Sequence, residues 1–252
     1  MRRAPWFMAL LLASPLIAFG ADAPITSVDF SASAWVDVDA SGQAHVIEMG
    51  KLTKLGDVTK LAPIADSIRE RLRERIESWQ FVPAMRDGAA VASSTNVYVN
   101  LEALDDGAAG LAVRLRSAYT GPELEERNMT GLMMADTGEE GMVVIDVTYR
   151  EDGHVQSAVV HDSKAFEGGQ FVKRVSQDLR KGSMRAAKLW VFKPEQVAGK
   201  PVAGSGRVPV IFCVTVACGT AWHDSSIADS EPRYASNEPV AKLRSNVAGT
   251  AL

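Results

Sequence analysis

The chain carries one pattern twice. Trp79-x-Phe81-x-Pro83, followed by Gly88 and Val91, returns as Trp190-x-Phe192-x-Pro194, followed by Gly199 and Val202, with every pair 111 positions apart and no gap. The same offset carries Gly42 onto Gly153 and Val36 onto Val147 upstream. A fixed internal period constrains architecture before any single residue does, because one structural unit has to be built repeatedly. A chain of 252 residues has room for two small units, each with a core of its own.

The local patterns say what the unit contains. Val143, Ile145, Val147 and Tyr149 alternate with Val144, Asp146, Thr148 and Arg150, a period of two that reads as a strand with one buried face. Glu151-Asp152-Gly153 is a hairpin turn, and Val155 to Val160 returns as the second strand. Val36, Val38, the Ser41-Gly42 turn and Ala44 to Met49 repeat the arrangement. A helix follows in each copy. Ile64, Ile68, Leu72 and Ile76 form one apolar stripe closing at Trp79, with Pro63 suited to the first turn. In the second copy that stripe maps to Val175, Leu179, Ser183 and Ala187, with Gly182 interrupting it at about 1 kcal/mol relative to alanine.

After each helix the W-x-F-x-P segment leaves in extended form, since proline forbids helix continuation. A polar glycine turn and a last strand complete the unit, Val97–Leu101 in one copy and Val208–Val216 in the other. The expected fold is therefore α+β: two tandem β-β-α-β units, each an antiparallel sheet with one helix packed on a face. The first copy adds Leu111, Val113 and Leu115 as a further strand covering the edge made by residues 97–101. The resulting division is a signal segment over 1–20, a first domain over 24–120, a linker over 121–140, a second domain over 141–217 and a polar tail over 218–252. The tail, rich in Ser, Asp and Asn, reads as disordered or loosely draped.

The N-terminus reads as a secretory signal. Arg2 and Arg3 precede an apolar run from Trp6 to Phe19, and Ala18-Phe19-Gly20 places small residues where a signal peptidase reads. The run is shorter than the ~20 residues a spanning helix needs, and Pro15 breaks it. Cleavage would leave no stable membrane anchor and an exported, soluble protein that meets an oxidising compartment. In such a compartment the two cysteines, Cys213 and Cys218, read either as a disulfide or as two buried thiols. Their odd separation opposes bridging on a flat strand, so a bridge needs a turn or bulge between them.

A net charge of −4 offers no concentrated basic surface, which excludes nucleic acid as the natural partner. The charged run Arg69 to Arg75 reads as a solvated helix face with pairs three apart. The four histidines lack metal-ligand spacing, no phosphate loop stands between a strand and a helix, and His223-Asp224-Ser225 is a run of neighbours rather than a triad. The chain thus reads as non-enzymatic, with no cofactor. Trp79, Phe81, Pro83 and Gly88, with Trp190, Phe192, Pro194 and Gly199, read as structural, because a tryptophan at a helix-to-strand exit buries much area.

Asp152-Gly153-His154-Val155, Trp190-Val191-Phe192-Lys193-Pro194, Gly199-Lys200-Pro201-Val202 and Val210-Ile211-Phe212 together resemble the C-terminal domain of TonB-type energy transducers. The resemblance covers roughly residues 140–215, and residues 28–104 carry a weaker version. It implies a periplasmic protein that takes an extended peptide, such as a segment of an outer-membrane receptor, as an added strand on a sheet edge. The candidate edge is Arg207, Val208, Val210, Ile211 and Phe212, with Pro209 removing one donor. A long Pro/Lys/Glu-rich spacer, which a transducer needs to cross the periplasm, is missing from this sequence. The competing reading is a structural or accessory envelope protein whose duplicated domains pack together or form a homodimer, with no transport role.

Overall fold

The structure of the protein, a computed structural model, describes residues 26–54, 62–105, 111–130, 139–213, 215, 218 and 238–252. The expected signal segment over 1–20, and His223 with its neighbours, lie outside the described residues. The chain opens with the hairpin β1 (Thr26–Val38) and β2 (Ala44–Met49), and β3 (Thr53–Lys54) returns to β1. Helix α1 (Ala65–Glu77) buries Ile68, Leu72 and Ile76 of the expected stripe, while Arg69–Asp66 and Arg73–Glu70 pair along its wet side. Strand β4 (Phe81–Val82) follows, then the small hairpin β5 (Ala84–Arg86) and β6 (Ala89–Val91). The long β7 (Ser93–Asp105) pairs with β1 from Thr26↔Asp105 to Val38↔Ser93, and β8 (Leu111–Gly121) covers β7 as expected. Strand β9 (Glu123–Glu126) ends this half.

The second half repeats the order with β10 (Gly141–Tyr149), β11 (Val155–Glu167), the added β12 (Gln170–Lys173) and α2 (Gln177–Ala187). Ser176 caps α2 by accepting from the Leu179 N–H, and Gly182 sits inside a continuous helix. The mapped stripe is buried, with the Ser183 hydroxyl satisfied by the Leu179 carbonyl at 2.8 Å. Strands β13 (Val191–Lys193), β14 (Gln196–Val197), β15 (Lys200–Pro201) and β16 (Gly204–Phe212) follow, and β17 (Lys242–Leu243) comes from the tail.

The expected α+β fold of two β-β-α-β units is corrected by this arrangement. Among the described residues strand outweighs helix, 55% to 15%, and the larger sheet curls into an antiparallel half-barrel. It has seven strands, in the order β15-β14-β7-β1-β2, with β3 on β1 and β8 on β7. Two of those strands come from the other half of the chain: β14 pairs Gln196 and Val197 with Ser94 and Ser93 of β7. The sheet β12-β11-β10-β16 is smaller. The physical reason is that the segments read as turn, linker and tail are also strands, and they pair across the halves.

Two of these crossings are reciprocal. β9, which follows the first half, pairs with β13 of the second, setting Leu124 opposite Phe192. β17, which follows the second half, pairs with β4 of the first, setting Leu243 opposite Phe81. Leu124 and Met129 thereby pack on the second core, while Ala241, Val247 and Leu243 pack on the first. The described end of the tail is thus structural: Leu115 N–H donates to the Thr250 carbonyl and Leu252 N–H to the Val113 carbonyl, at 2.8 and 2.9 Å.

Within each half, the turn glycine clasps the strand after the helix. Phe81 N–H donates to the Gly42 carbonyl and Phe192 N–H to the Gly153 carbonyl, both at 2.9 Å. Both glycines have positive φ, +88° and +83°, and a Cβ on either would overlap the phenylalanine carbonyl oxygen beneath it. Replacing Gly153 by Ala should therefore cost about 2 kcal/mol more than the same change at Gly199, which has a similar φ of +73° but open space around it. Urea unfolding of the two variants checks this; equal losses would show that the left-handed backbone alone sets the cost.

Glu195 joins the halves. Only 2% exposed, its Oε1 accepts from the Thr95 hydroxyl of β7 at 2.7 Å and from the Val240 N–H of the tail at 3.2 Å. Burial pushes its carboxyl up to about 7, against the opposing effect of those two bonds. Between pH 4.5 and about 7 the folded chain therefore holds a proton that the unfolded chain has released, so stability falls as pH rises through that window. In Glu195→Gln the amide oxygen keeps both bonds. The stability of the wild type relative to E195Q should drop by about 3 kcal/mol across the window in paired denaturation curves. A difference independent of pH would remove Glu195 as the titrating group.

Candidate functional site

The outer side of β16 is the expected binding edge, and register fixes which of its groups face outward. β16 pairs with β10 through Val143↔Val210 and Val144↔Pro209. The Pro209 carbonyl points away from β10, since it accepts from Arg127 Nη2 at 3.4 Å. Backbone direction alternates along a strand, so Arg207 and Ile211 also present their N–H and C=O groups outward. Proline lacks a donor at the middle of that row. Among the described residues no strand pairs with this side, whereas β7, the corresponding strand of the first half, carries β8 and β14 on its matching side.

The five edge residues divide by face. Val208 and Val210 are fully buried in the core beneath α2, and Phe212 packs partly against it. Ile211 turns the other way, against Met142 and Val144, which form a small apolar cluster on the second face of the sheet. Arg207 lies further along that face. Its Nε donates to Asp146 Oδ1 at 2.7 Å, and Asp146 Oδ2 lies 3.1 Å from His161 Nδ1. His161 and Arg207 also meet directly, at 3.0 Å. This cluster holds the guanidinium as an oriented charge beside the open edge. Sequence reading found Arg207 but not its partners, which come from other strands and carry no spacing signal.

Cys213 and Cys218 form a disulfide directly beyond β16. The segment leaves strand geometry after Phe212, so the alternation that opposed bridging no longer applies. The repeat residues are placed in the cores and turns. Trp79, Phe81, Trp190 and Phe192 are buried, and Gly88 and Gly199 turn the hairpins β5–β6 and β14–β15 with positive φ. Pro83 and Pro194 follow β4 and β13. Trp190 Nε1 donates to the Asn128 carbonyl at 3.0 Å while the Arg127 guanidinium lies 5.9 Å from its ring centroid. A stacking role for either tryptophan on a ligand finds no open ring face to use.

Lys193 marks the seam between the halves, where its ammonium sits 4.2 Å from the Trp35 ring centroid and 3.8 Å from Glu123. Burial raises the Glu123 carboxyl above its usual range, with Lys193 opposing that shift. Among the described residues no three His, Cys, Asp or Glu side chains gather as metal ligands, and no helix is long and apolar enough to cross a membrane. Compared with protein-family models, curated proteins and solved structures, the chain matches none of them.

Proposed function

We propose that this is a TonB-like, non-enzymatic periplasmic module that binds an extended peptide segment of an envelope protein, such as an outer-membrane receptor, by strand addition. The observation that carries the reading is the outer row of β16. Pro209 and Ile211 face outward there, and no strand pairs with them on that side among the described residues. Main-chain bonding gives such an edge affinity for any extended segment, and flanking side chains give it selectivity. Arg207, oriented by Asp146, supplies charge selectivity at one end, and Ile211 supplies an apolar contact at the other. The N-terminal pattern Arg2, Arg3 and Trp6 to Phe19 supports export, and the Cys213–Cys218 bridge suits an oxidising compartment.

A structural role in the envelope is the second reading, favoured by the reciprocal pairing of β9 and β17, which commits both connecting segments to holding the halves together. Isotope-labelled mature chain titrated with receptor-derived extended peptides separates the two. Strand addition should shift the amides of Arg207 to Phe212, and Ile211→Pro, which removes an outward donor but no ladder bond, should weaken binding at least tenfold. Peptides N-methylated on alternate residues should bind no better. Titrations that leave those amides unmoved with every peptide would favour the structural role.

A further inference from the structure

The repeat offset exposes a second edge that differs between the halves. In the first half the outer edge of β2 is plugged by its own helix: Glu77 Oε1 accepts from the Val46 N–H at 3.2 Å, and Arg73 Nη1 donates to the Val46 carbonyl at 3.1 Å. Val46 pairs with Val36, and Ala158 pairs with Val147, the residue 111 positions beyond Val36. Ala158 therefore occupies the place of Val46, with its backbone N–H and C=O turned away from β10 toward the outer side of β11. The plug is gone there. Arg73 is replaced by Met184 and Glu77 by Lys188, so nothing in α2 can accept from an amide at that point.

The change goes beyond one pair. At the same offset Glu70 becomes Lys181 and Glu74 becomes Arg185, so three acidic positions on one helix face have turned basic. Ala158, Lys181, Met184, Arg185 and Lys188 together line a groove of about 190 Å³ between β11 and α2. Lys181, Arg185 and Lys188 are exposed, and none has an ion-pair partner among the described residues. The strand beside them is open as well. β12 covers β11 only from Lys164 to Glu167, and β13 touches the hairpin at His154, so no strand pairs with Ser157 to Val160 on that side among the described residues.

We propose that this groove is a docking site for an acidic extended peptide segment of a partner protein, seated as a strand on β11 with its carboxylates against Lys181, Arg185 and Lys188. An open row of backbone groups suits an extended chain, and three cations with no ion-pair partner among the described residues suit a negative one. The bond from Glu77 to Val46 in the first half is an internal precedent: there a carboxylate of the chain itself occupies the corresponding point. The site is separate from β16, which lies across β10 on the opposite edge of the same sheet.

The test uses the labelled mature chain and a synthetic eight-residue peptide alternating Glu and Thr. Amide shifts should map to Ser157–Val160 and the facing side of α2, and binding should weaken with added salt. The triple variant K181E/R185E/K188E, which restores the acidic pattern of the first half on exposed positions, should lose at least tenfold in affinity. It should gain affinity for the matching Lys/Thr peptide. Ile211→Pro should change nothing, so failure here and failure at β16 are told apart. Three results overturn the proposal: no shifts at Ser157–Val160, equal binding by the N-methylated acidic peptide, or binding to phosphatidylglycerol vesicles with none to the peptide.

Discussion

The geometry of each half rests on a contact between two backbones. A glycine in the first hairpin turn lies against the carbonyl of the phenylalanine that leaves the helix, and no side-chain atom fits between them. That clasp fixes where the chain re-enters after α1 and α2, and so fixes the helix over the sheet and tryptophan beneath it. It also explains why W-x-F and the distant turn glycine keep the same offset in both copies. The phenylalanine ring fills the core, while its N–H and C=O hold the turn.

The clasp leaves the strand after each helix short of a neighbour, and the fold fills that place by exchange. The segment following the first half completes the second, and the segment following the second completes the first. Each core therefore contains apolar residues that are distant in sequence, and neither half is closed by its own residues alone. Glu195 adds a polar counterpart at the seam. It reaches β7 and the tail together from the second half, so three parts of the chain meet at one buried carboxyl. Tyr149 lies close enough to this charge for its phenol to be shifted upward, with burial the larger cause.

Periodicity made the strands β1, β2, β10 and β11, both helix stripes and the covering strand β8 legible, because each buries one face and each face leaves a spacing. What the sequence did not reveal was partnership. Lys242–Leu243 and Glu123–Glu126 are too short and too polar to carry a strand signal, and their pairing is decided by the open sides of β4 and β13. That is why two separate α+β units were expected where β14 and β15 of the second half join the curled sheet of the first. The edge at β16 was legible through Pro209, whose missing donor matters only on an outer row. Asp146 and His161 were not, since residues on three strands meet there solely through register.

Duplication explains why the edges came to differ. Two copies of a sheet unit begin with the same exposed rows, and an exposed row invites unwanted pairing. The first half has closed both of its rows: β8 and β14 cover β7, and Arg73 with Glu77 plug β2. At the equivalent positions in the second half, Met184 and Lys188 stand where the first half has its plug, and Lys181 and Arg185 stand where it has Glu70 and Glu74. A helix face that serves as a stopper in one copy thus becomes the wall of a groove in the other, with the same backbone beneath both.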